Sequence, residues 1–409
     1  MFRNIVTEVQ NAALTGPHTT GILPAAYWAS QSGAIYLSNG DGQLVKVSAE
    51  AVTLADNGTD GVLFPVGSTL KPWRLVEPQD PFKSCSLFSK INTTALHGKL
   101  LLQLWTYSMT SNHRSKPPLV TIGPIGSGKT RTIQGIAELY GMPFLACKVL
   151  DMGEDDFWTG IDAGGLFTLD NADTNCRWIA DSVAAASTGA CSPRRKKYTD
   201  KDQIVLKPRS WLGITSAEPH FASDPGLADR LIVVRMGRRK GETLDNALTD
   251  EILGVRDAGL SHMVKVLQAA LADKTPTPRG LNARHPDFAE FAVRIGRALG
   301  LEAESVKALR VAEADKSQVC VENDPLASVL LEYLETSKHF IGPAAELLPH
   351  LQNQDPSLRS LTPKGLGKRL SSLMPHLEVI MAVAKSEPKR GTSVFEFAIC
   401  KTEHVVAAS

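Results

Sequence analysis

The stretch Gly123-Pro124-Ile125-Gly126-Ser127-Gly128-Lys129-Thr130 constrains this chain more than any other, because it fits G-x-x-x-x-G-K-[ST] at every fixed position. Glycines at that spacing let consecutive backbone N–H groups converge on phosphate oxygens, and the loop opens onto a helix N-terminus whose dipole favours anions. The loop needs a strand before it and a helix after it. Leu119 to Ile122 is an apolar strand candidate, and Arg131 to Tyr140 is a helix candidate. In such a loop Lys129 reaches the β- and γ-phosphates of a nucleotide, and the Thr130 hydroxyl ligates Mg²⁺.

A second strand is required to hold the water shell of that metal. Gly165-Leu166-Phe167-Thr168-Leu169-Asp170 is an apolar run ending in a carboxylate, and Asp170 fits the role. Asn171 follows where many ATPases carry a glutamate that activates the attacking water. An amide orients a water but cannot take its proton. Asp173 is either a substitute or a solvated turn carboxylate. Ser210 to Ser216 is another apolar strand ending in hydroxyls. Gly226-Leu227-Ala228-Asp229-Arg230 then leads into the strand candidate Leu231 to Val234. Alternating strands and helices up to about residue 240 imply βαβ units and a parallel sheet.

In this order the motifs Gly123–Thr130, Leu166–Asn171, Ile214–Ser216 and Leu227–Arg230 resemble the AAA+ type helicase modules of phages and integrated mobile elements, relatives of superfamily 3 and minichromosome-maintenance helicases. The resemblance covers roughly residues 33–400. It implies a P-loop ATPase that forms a ring, a hexamer, and translocates on DNA. It implies further that Ser216, with Thr215 in reserve, is a polar sensor of the γ-phosphate or its water, strand-end capping being the alternative. Arg230 becomes a finger reaching a neighbouring subunit's nucleotide; the alternative is a surface pair with Asp229. The catalytic set is therefore Lys129, Asp170, Asn171, Ser216 and Arg230, with Thr130 and Asp170 at the metal and ATP and Mg²⁺ as cofactors. Arg284 is a second sensor or a structural helix-start residue.

Such helicases insert a hairpin before the sensor strand. Arg194 to Thr199 and Ile204 to Lys207 pair across Asp200-Lys201-Asp202-Gln203, with seven basic residues against two acids over 194–209. Lys196, Lys197, Lys201 and Lys207 are candidate contacts to single-stranded DNA through salt-sensitive phosphate binding. A solvated charge run is the alternative. Near the C-terminus, Thr362 reads as an N-cap and Pro363 as the first helical residue. Leu366, Leu370 and Leu373 give that helix one apolar side, and a strand (Leu377 to Ala384), a turn (Lys385 to Gly391) and a strand (Thr392 to Cys400) follow. That is the order of a winged helix, with Lys364, Lys368, Arg369, Lys389 and Arg390 facing duplex DNA or a protein.

The expected fold class is α/β. A β-rich accessory domain spans 1–85, with a hairpin turning at Asn39-Gly40-Asp41-Gly42 and further strands at Gly61 to Val66 and Trp73 to Val76. The ATPase core spans 86–242, a helical lid or linker 243–334, and the winged helix 335–409. The totals of 44 Lys+Arg and 43 Asp+Glu give a net charge of +1, so any nucleic-acid surface must be local. No apolar run reaches the length of a membrane span. No apolar signal region forms before Glu8 and Gln10, so a cytoplasmic protein is expected. The six cysteines show no CxxC pair and read as buried reduced thiols. Two function classes follow: an ATP-driven DNA helicase or translocase of a mobile-element replication module, with a primase as a possible partner, or a nucleotide-dependent binding platform with little hydrolysis. A small-molecule kinase would leave the basic hairpin and the tail without a use.

Overall fold

A computed structural model describes residues 22–65, 70–95, 97–173, 176–195, 203–239, 244–386 and 393–398. The candidate residues Lys196, Lys197, Lys201, Lys389 and Arg390 lie outside this set. The first sheet is antiparallel and runs in chain order through Trp28–Gln31 (β2), Ala34–Ser38 (β3), Gln43–Val47 (β4) and Val52–Asp56 (β5), while Leu23–Pro24 (β1) pairs in parallel with Val62–Leu63 (β6). The expected β3–β4 hairpin is present. Gly40 and Gly42 take φ of 77° and 73° in its turn, a region that favours glycine. The strand expected at Trp73 to Val76 is instead irregular chain: Trp73 is buried and donates its indole N–H to Ser38 O at 2.8 Å, so packing rather than pairing holds it.

The short helices Pro81–Ser84 (α1) and Ser86–Ser89 (α2) precede Gly98–Ser108 (α3). Then comes the central sheet. Leu119–Ile122 (β7), Leu145–Lys148 (β8), Leu166–Asp170 (β9), Trp211–Ser216 (β12) and Ile232–Arg235 (β13) are all parallel, in the spatial order β13-β7-β12-β9-β8. Period-two alternation divides their side chains between two cores. On one face Leu119, Leu166, Trp211, Ile232 and Val234 pack against α3, Lys129–Tyr140 (α4), Asp245–Ala272 (α8), Pro286–Ala298 (α9) and Glu302–Asn323 (α10). On the other, Val120, Phe167, Leu169, Leu212, Ile214 and Val233 meet Glu154–Asp162 (α5) and Arg177–Ser187 (α6). Ile35, Leu37, Val45 and Val47 of the first sheet join the former core, so the β-rich N-terminal region and helices α8 to α10 are fused to the central sheet through one apolar cluster.

Ser192–Arg195 (β10) and Gln203–Leu206 (β11) pair antiparallel before β12, Arg194 opposite Ile204 as expected, but the pairing starts at Ser192 and places Gln203 in β11 opposite Arg195, not in the turn; residues 196–202 lie outside the described set. Pro225–Ala228 (α7) precedes β13. The C-terminal part has a core of its own, built from Pro325–Ser337 (α11), Ala344–Gln354 (α12), Pro363–Leu377 (α13) and the sheet of His339–Pro343 (β14), Ala382–Ser386 (β15) and Val394–Ala398 (β16). Its strand order is β14-β16-β15. Thr362 caps α13 as expected, accepting from Gly365 N at 3.1 Å. Two expectations are corrected. The helix runs through Leu377 and the strand begins only at Ala382, placing Lys385 in β15 opposite Phe395 and not in a turn. A third strand, β14, completes the sheet; its Phe340 pairs with Phe397 on the buried face.

The cysteines are also not uniformly buried: Cys85 and Cys320 are, whereas Cys191 is exposed and Cys147 and Cys176 are half-buried. Among the described residues no helix is long and apolar enough to cross a membrane. Trp211 lies fully buried at the junction of sheet and helices, edge-on to Trp105 with ring centres 5.5 Å apart and 6.3 Å from Phe288. Trp211→Ala should cost about 3–5 kcal/mol of folding free energy. Urea denaturation would measure it, and a loss under about 1 kcal/mol would contradict this core assignment.

Candidate functional site

Parallel pairing sets the ends of three strands level. Ile122 lies opposite both Ser216 and Arg235, so the loop after β7 emerges between the C-terminal ends of β12 and β13. The loop is forced close to its neighbours. A Cβ on Gly123 would lie 2.1 Å from Met236 O, and Gly126 and Gly128 adopt φ of 79° and 82°. Only glycine satisfies the first contact, and it is strongly favoured in the other two conformations. Pro124 O accepts from Ser127 N, Ile125 projects into solvent, and the Ser127 hydroxyl is buried with no hydrogen-bond partner among the described residues.

Gly128 is the N-cap of α4, whose first residues are Lys129 and Thr130. Lys129 Nζ donates to Gly123 O at 2.6 Å and Pro124 O at 3.1 Å. Burial lowers its pKa below the ordinary lysine value, against the opposing charges of Asp173 and Asp170. The Thr130 hydroxyl donates to Asp170 Oδ1 at 2.7 Å, and the Thr215 hydroxyl donates to the same oxygen at 2.8 Å. A carboxylate beside a hydroxyl is a hard oxygen donor set of the kind Mg²⁺ accepts. Among the described residues no group of three or more His, Cys, Asp or Glu gathers to hold a metal without such help.

Of the two strand-end hydroxyls, Thr215 and not Ser216 turns to Asp170. Ser216 is fully buried and donates to Asp173 Oδ1 at 2.5 Å. The alternation of β12 decides this, since adjacent side chains leave a strand on opposite sides. Asp173 Oδ1 also accepts from Ala217 N at 2.7 Å and Glu218 N at 3.1 Å. Burial pushes the Asp173 carboxyl up, but the hydrogen bonds from Ser216, Glu218 and Ala217, with the charge of Lys129, hold it below its ordinary value. A carboxylate so held is a weak proton acceptor. Asn171 has φ 54°, its N–H donates to Thr215 Oγ1 at 2.9 Å, and its residue is exposed.

Arg230 is not brought to this group. Ile232 N donates to Pro118 O, so Arg230 sits where β7 begins, a strand length of roughly 13 Å from the loop. Its guanidinium folds back onto Gly226 O, and Asp229 pairs not with Arg230 but with Arg284 at 3.3 Å, which gives Arg284 a structural partner. The hairpin occupies the same end of the sheet. Arg194 there pairs with Asp155 at 2.8 Å and Glu154 at 3.3 Å, Arg209 pairs with Asp162, and Lys207 is exposed. On α13, Lys364 and Lys368 are exposed, while Arg369 donates to Asp324 at 2.9 Å. That aspartate is buried and caps α11, so Arg369 ties the C-terminal helices together.

One residue near the loop escaped sequence reasoning. Arg238 is exposed, and its Nε lies 3.9 Å from where a Cβ of Gly126 would be; Asn92 fixes this segment by accepting from Gly237 N and donating to Arg238 O. Its only signal is the Gly237-Arg238-Arg239 run just past an apolar strand.

The family model of actinomycete integrative conjugative element replication proteins matches residues 86–317. No curated protein matches the chain. Among solved structures, the apo C-terminal region of NrS-1 is similar over 98% of this chain and 90% of its own, at 12% identity and a TM-score of 0.41. A second apo structure of that region is similar over 88% and 94%, at 11% identity and a TM-score of 0.38.

The Asp173 contacts make a testable claim. A carboxyl held low in the folded state stabilises fully above its unfolded pKa, near pH 4, and that contribution is lost as pH falls through the folded value. Asp173→Asn should therefore cost about 1.5 kcal/mol at pH 7, with the gap from wild type closing below about pH 4. Urea titrations at several pH values would check it; a gap independent of pH would refute it.

Proposed function

This chain belongs to the family of actinomycete integrative conjugative element replication proteins, and from that premise we propose that it is an ATP-driven motor that moves along or unwinds DNA when the element replicates. The observation that carries the reading is the convergence of Thr130 and Thr215 on Asp170, 2.7 Å and 2.8 Å away, beside Lys129 at the mouth of a glycine loop. On this reading residues 123–130 are a P-loop. Lys129 would exchange its carbonyl partners Gly123 and Pro124 for phosphate oxygens of ATP, and Thr130 and Asp170 would hold Mg²⁺, which would supply charge neutralisation on the transferred group. Thr215 orients Asp170 and stands nearest to the sensor role first given to Ser216.

Proton removal from the attacking water is the weak step. Asn171 only orients a water, and Asp173 is already saturated at one oxygen. Hydrolysis is therefore slow in an isolated subunit. Arg230 is too far from its own loop to act there, which supports a ring in which it serves the neighbour's ATP; six subunits is the number the helicase resemblance implies. Single-stranded DNA lies on the β10–β11 hairpin in the ring's pore. The C-terminal helices and three-stranded sheet act as a winged helix that presents Lys364 and Lys368 to duplex DNA.

The absent general base also motivates a second reading, a nucleotide-dependent DNA- or protein-binding platform with little turnover. ATPase assays with and without DNA separate the two. Wild type is expected to hydrolyse ATP faster with DNA and to unwind a forked duplex, with Lys129→Ala lowering turnover at least 100-fold. Tight ATP binding without DNA-stimulated turnover would favour the platform. Arg230→Ala subunits mixed into wild type should depress activity more than in proportion to their share, and strict proportionality would exclude a role in trans.

A further inference from the structure

At the end of the sheet opposite the glycine loop, three separate chain segments are pinned to one short connection. Ser115 and Lys116 lead into β7. Lys116 N donates to Ser187 O at 2.8 Å, at the end of α6 and just before β10. Lys116 Nζ donates to Pro208 O at 3.0 Å and Arg209 O at 2.7 Å, just after β11. Both roots of the hairpin therefore hang on one residue. The turn after α6 is pressed onto the same connection, since a Cβ on Gly189 would lie 2.6 Å from Arg114 O.

The third segment is the Arg230 turn. The Ser115 hydroxyl lies 2.6 Å from His285 Nδ1, and His285 Nε2 lies 3.1 Å from Arg230 O. His285 is buried, and burial, followed by the charge of Lys316, pushes its pKa down to about 4, so the ring is neutral at physiological pH. A carbonyl only accepts; hence Nε2 carries the hydrogen and Nδ1 is an acceptor, and the Ser115 hydroxyl shares its one hydrogen between Nδ1 and Ser187 O, 3.0 Å away at the end of α6. The preceding carbonyl is gripped as well: Lys316 Nζ, itself buried, donates to Asp229 O at 2.8 Å. The peptide units on either side of Arg230 are thus fixed, while among the described residues the Arg230 guanidinium donates to Gly226 O and its Nε has no partner.

We propose that Ser115, Lys116 and His285 are positioning residues that couple the root of the β10–β11 hairpin to the Arg230 turn, so that DNA held on the hairpin changes the reach of Arg230 toward a neighbouring subunit's ATP. The link to catalysis rests on the motor reading above; the mechanical link does not. The path runs from Arg209 and Pro208 through Lys116 and Ser115 to His285 and Arg230 without a gap wider than one hydrogen bond or one covalent neighbour. It bypasses the glycine loop, Lys129 and Asp170, so breaking it leaves ATP binding intact.

The test uses Ser115→Ala, which deletes the hydroxyl shared by His285 and Ser187, and His285→Gln, which keeps an amide donor for Arg230 O but has no acceptor at the position of Nδ1 facing Ser115. Hydrogen exchange on the ATP-free chain reads the mechanical link. Segments 203–210 and 226–231 should gain deuterium together in both variants, while 119–122 stays as in wild type. No change, or a gain on one side alone, overturns the coupling. ATPase assays read the consequence. Both variants should keep ATP affinity and basal turnover within about twofold of wild type and lose at least fivefold in stimulation by single-stranded DNA. Stimulation retained in variants that bind ATP normally overturns the proposed link to Arg230. Wild type that loosens as expected on mutation yet never hydrolyses ATP would instead sink the motor reading and leave the mechanical coupling standing.

Discussion

The parallel pairing of β7 between β12 and β13 is the constraint on which everything else hangs. It places Ile122, Ser216 and Arg235 side by side, so one chain turn and two strand ends meet at a single edge. Gly123 has no room for a side chain because Met236 O comes from the neighbouring β13. Because the strands run the same way, every helix-to-strand return lies at the opposite edge. The two ends of the sheet are thereby given different work: one collects Lys129, Thr130, Asp170 and Thr215, the other collects Arg230 and the hairpin.

Burial on both faces makes this arrangement rigid. Alternate residues of β9 and β12 enter different cores, and neither core closes without the sheet. The polar groups are handled in the same economical way. Asp170 Oδ1 and Asp173 Oδ1 each take more than one donor, and the carbonyls of Asp229 and Arg230 are met by Lys316 and His285. Satisfying buried polar atoms fully narrows a site to one geometry. Arg369 illustrates the cost of reading charge without such partners. By sequence it faces DNA; in the fold it donates to Asp324, the N-cap of α11, and so ties α13 to α11.

Much of the architecture was legible because its signals are local. The glycine loop, the strand before it and the helix after it occupy one continuous stretch, and Asn39 to Gly42 announce the hairpin by backbone conformation alone. The inserted β10–β11 pair was found for the same reason. Signals failed where partners lie far apart in the chain. Trp73 reads as strand because it is aromatic among apolar residues, yet its bond goes to Ser38. β14 was missed since its pairing with β16 spans more than fifty residues. Arg238 has no motif; only the neighbouring positions of β13 and β7 bring it to Gly126.

The sequence by itself determined that a glycine-rich loop sits between a strand and a helix, that Asp170 ends a strand, and that basic residues concentrate in two short stretches. Each of these depends on the spacing of nearby residues, which the chain carries in its order. Only the tertiary structure decided which hydroxyl turns to Asp170, which end of the sheet holds Arg230, and which basic side chains are already partnered. Those outcomes depend on strand phase, strand direction and the approach of residues as distant as Ser115 and His285. A linear pattern allows either phase and either partner; packing leaves one.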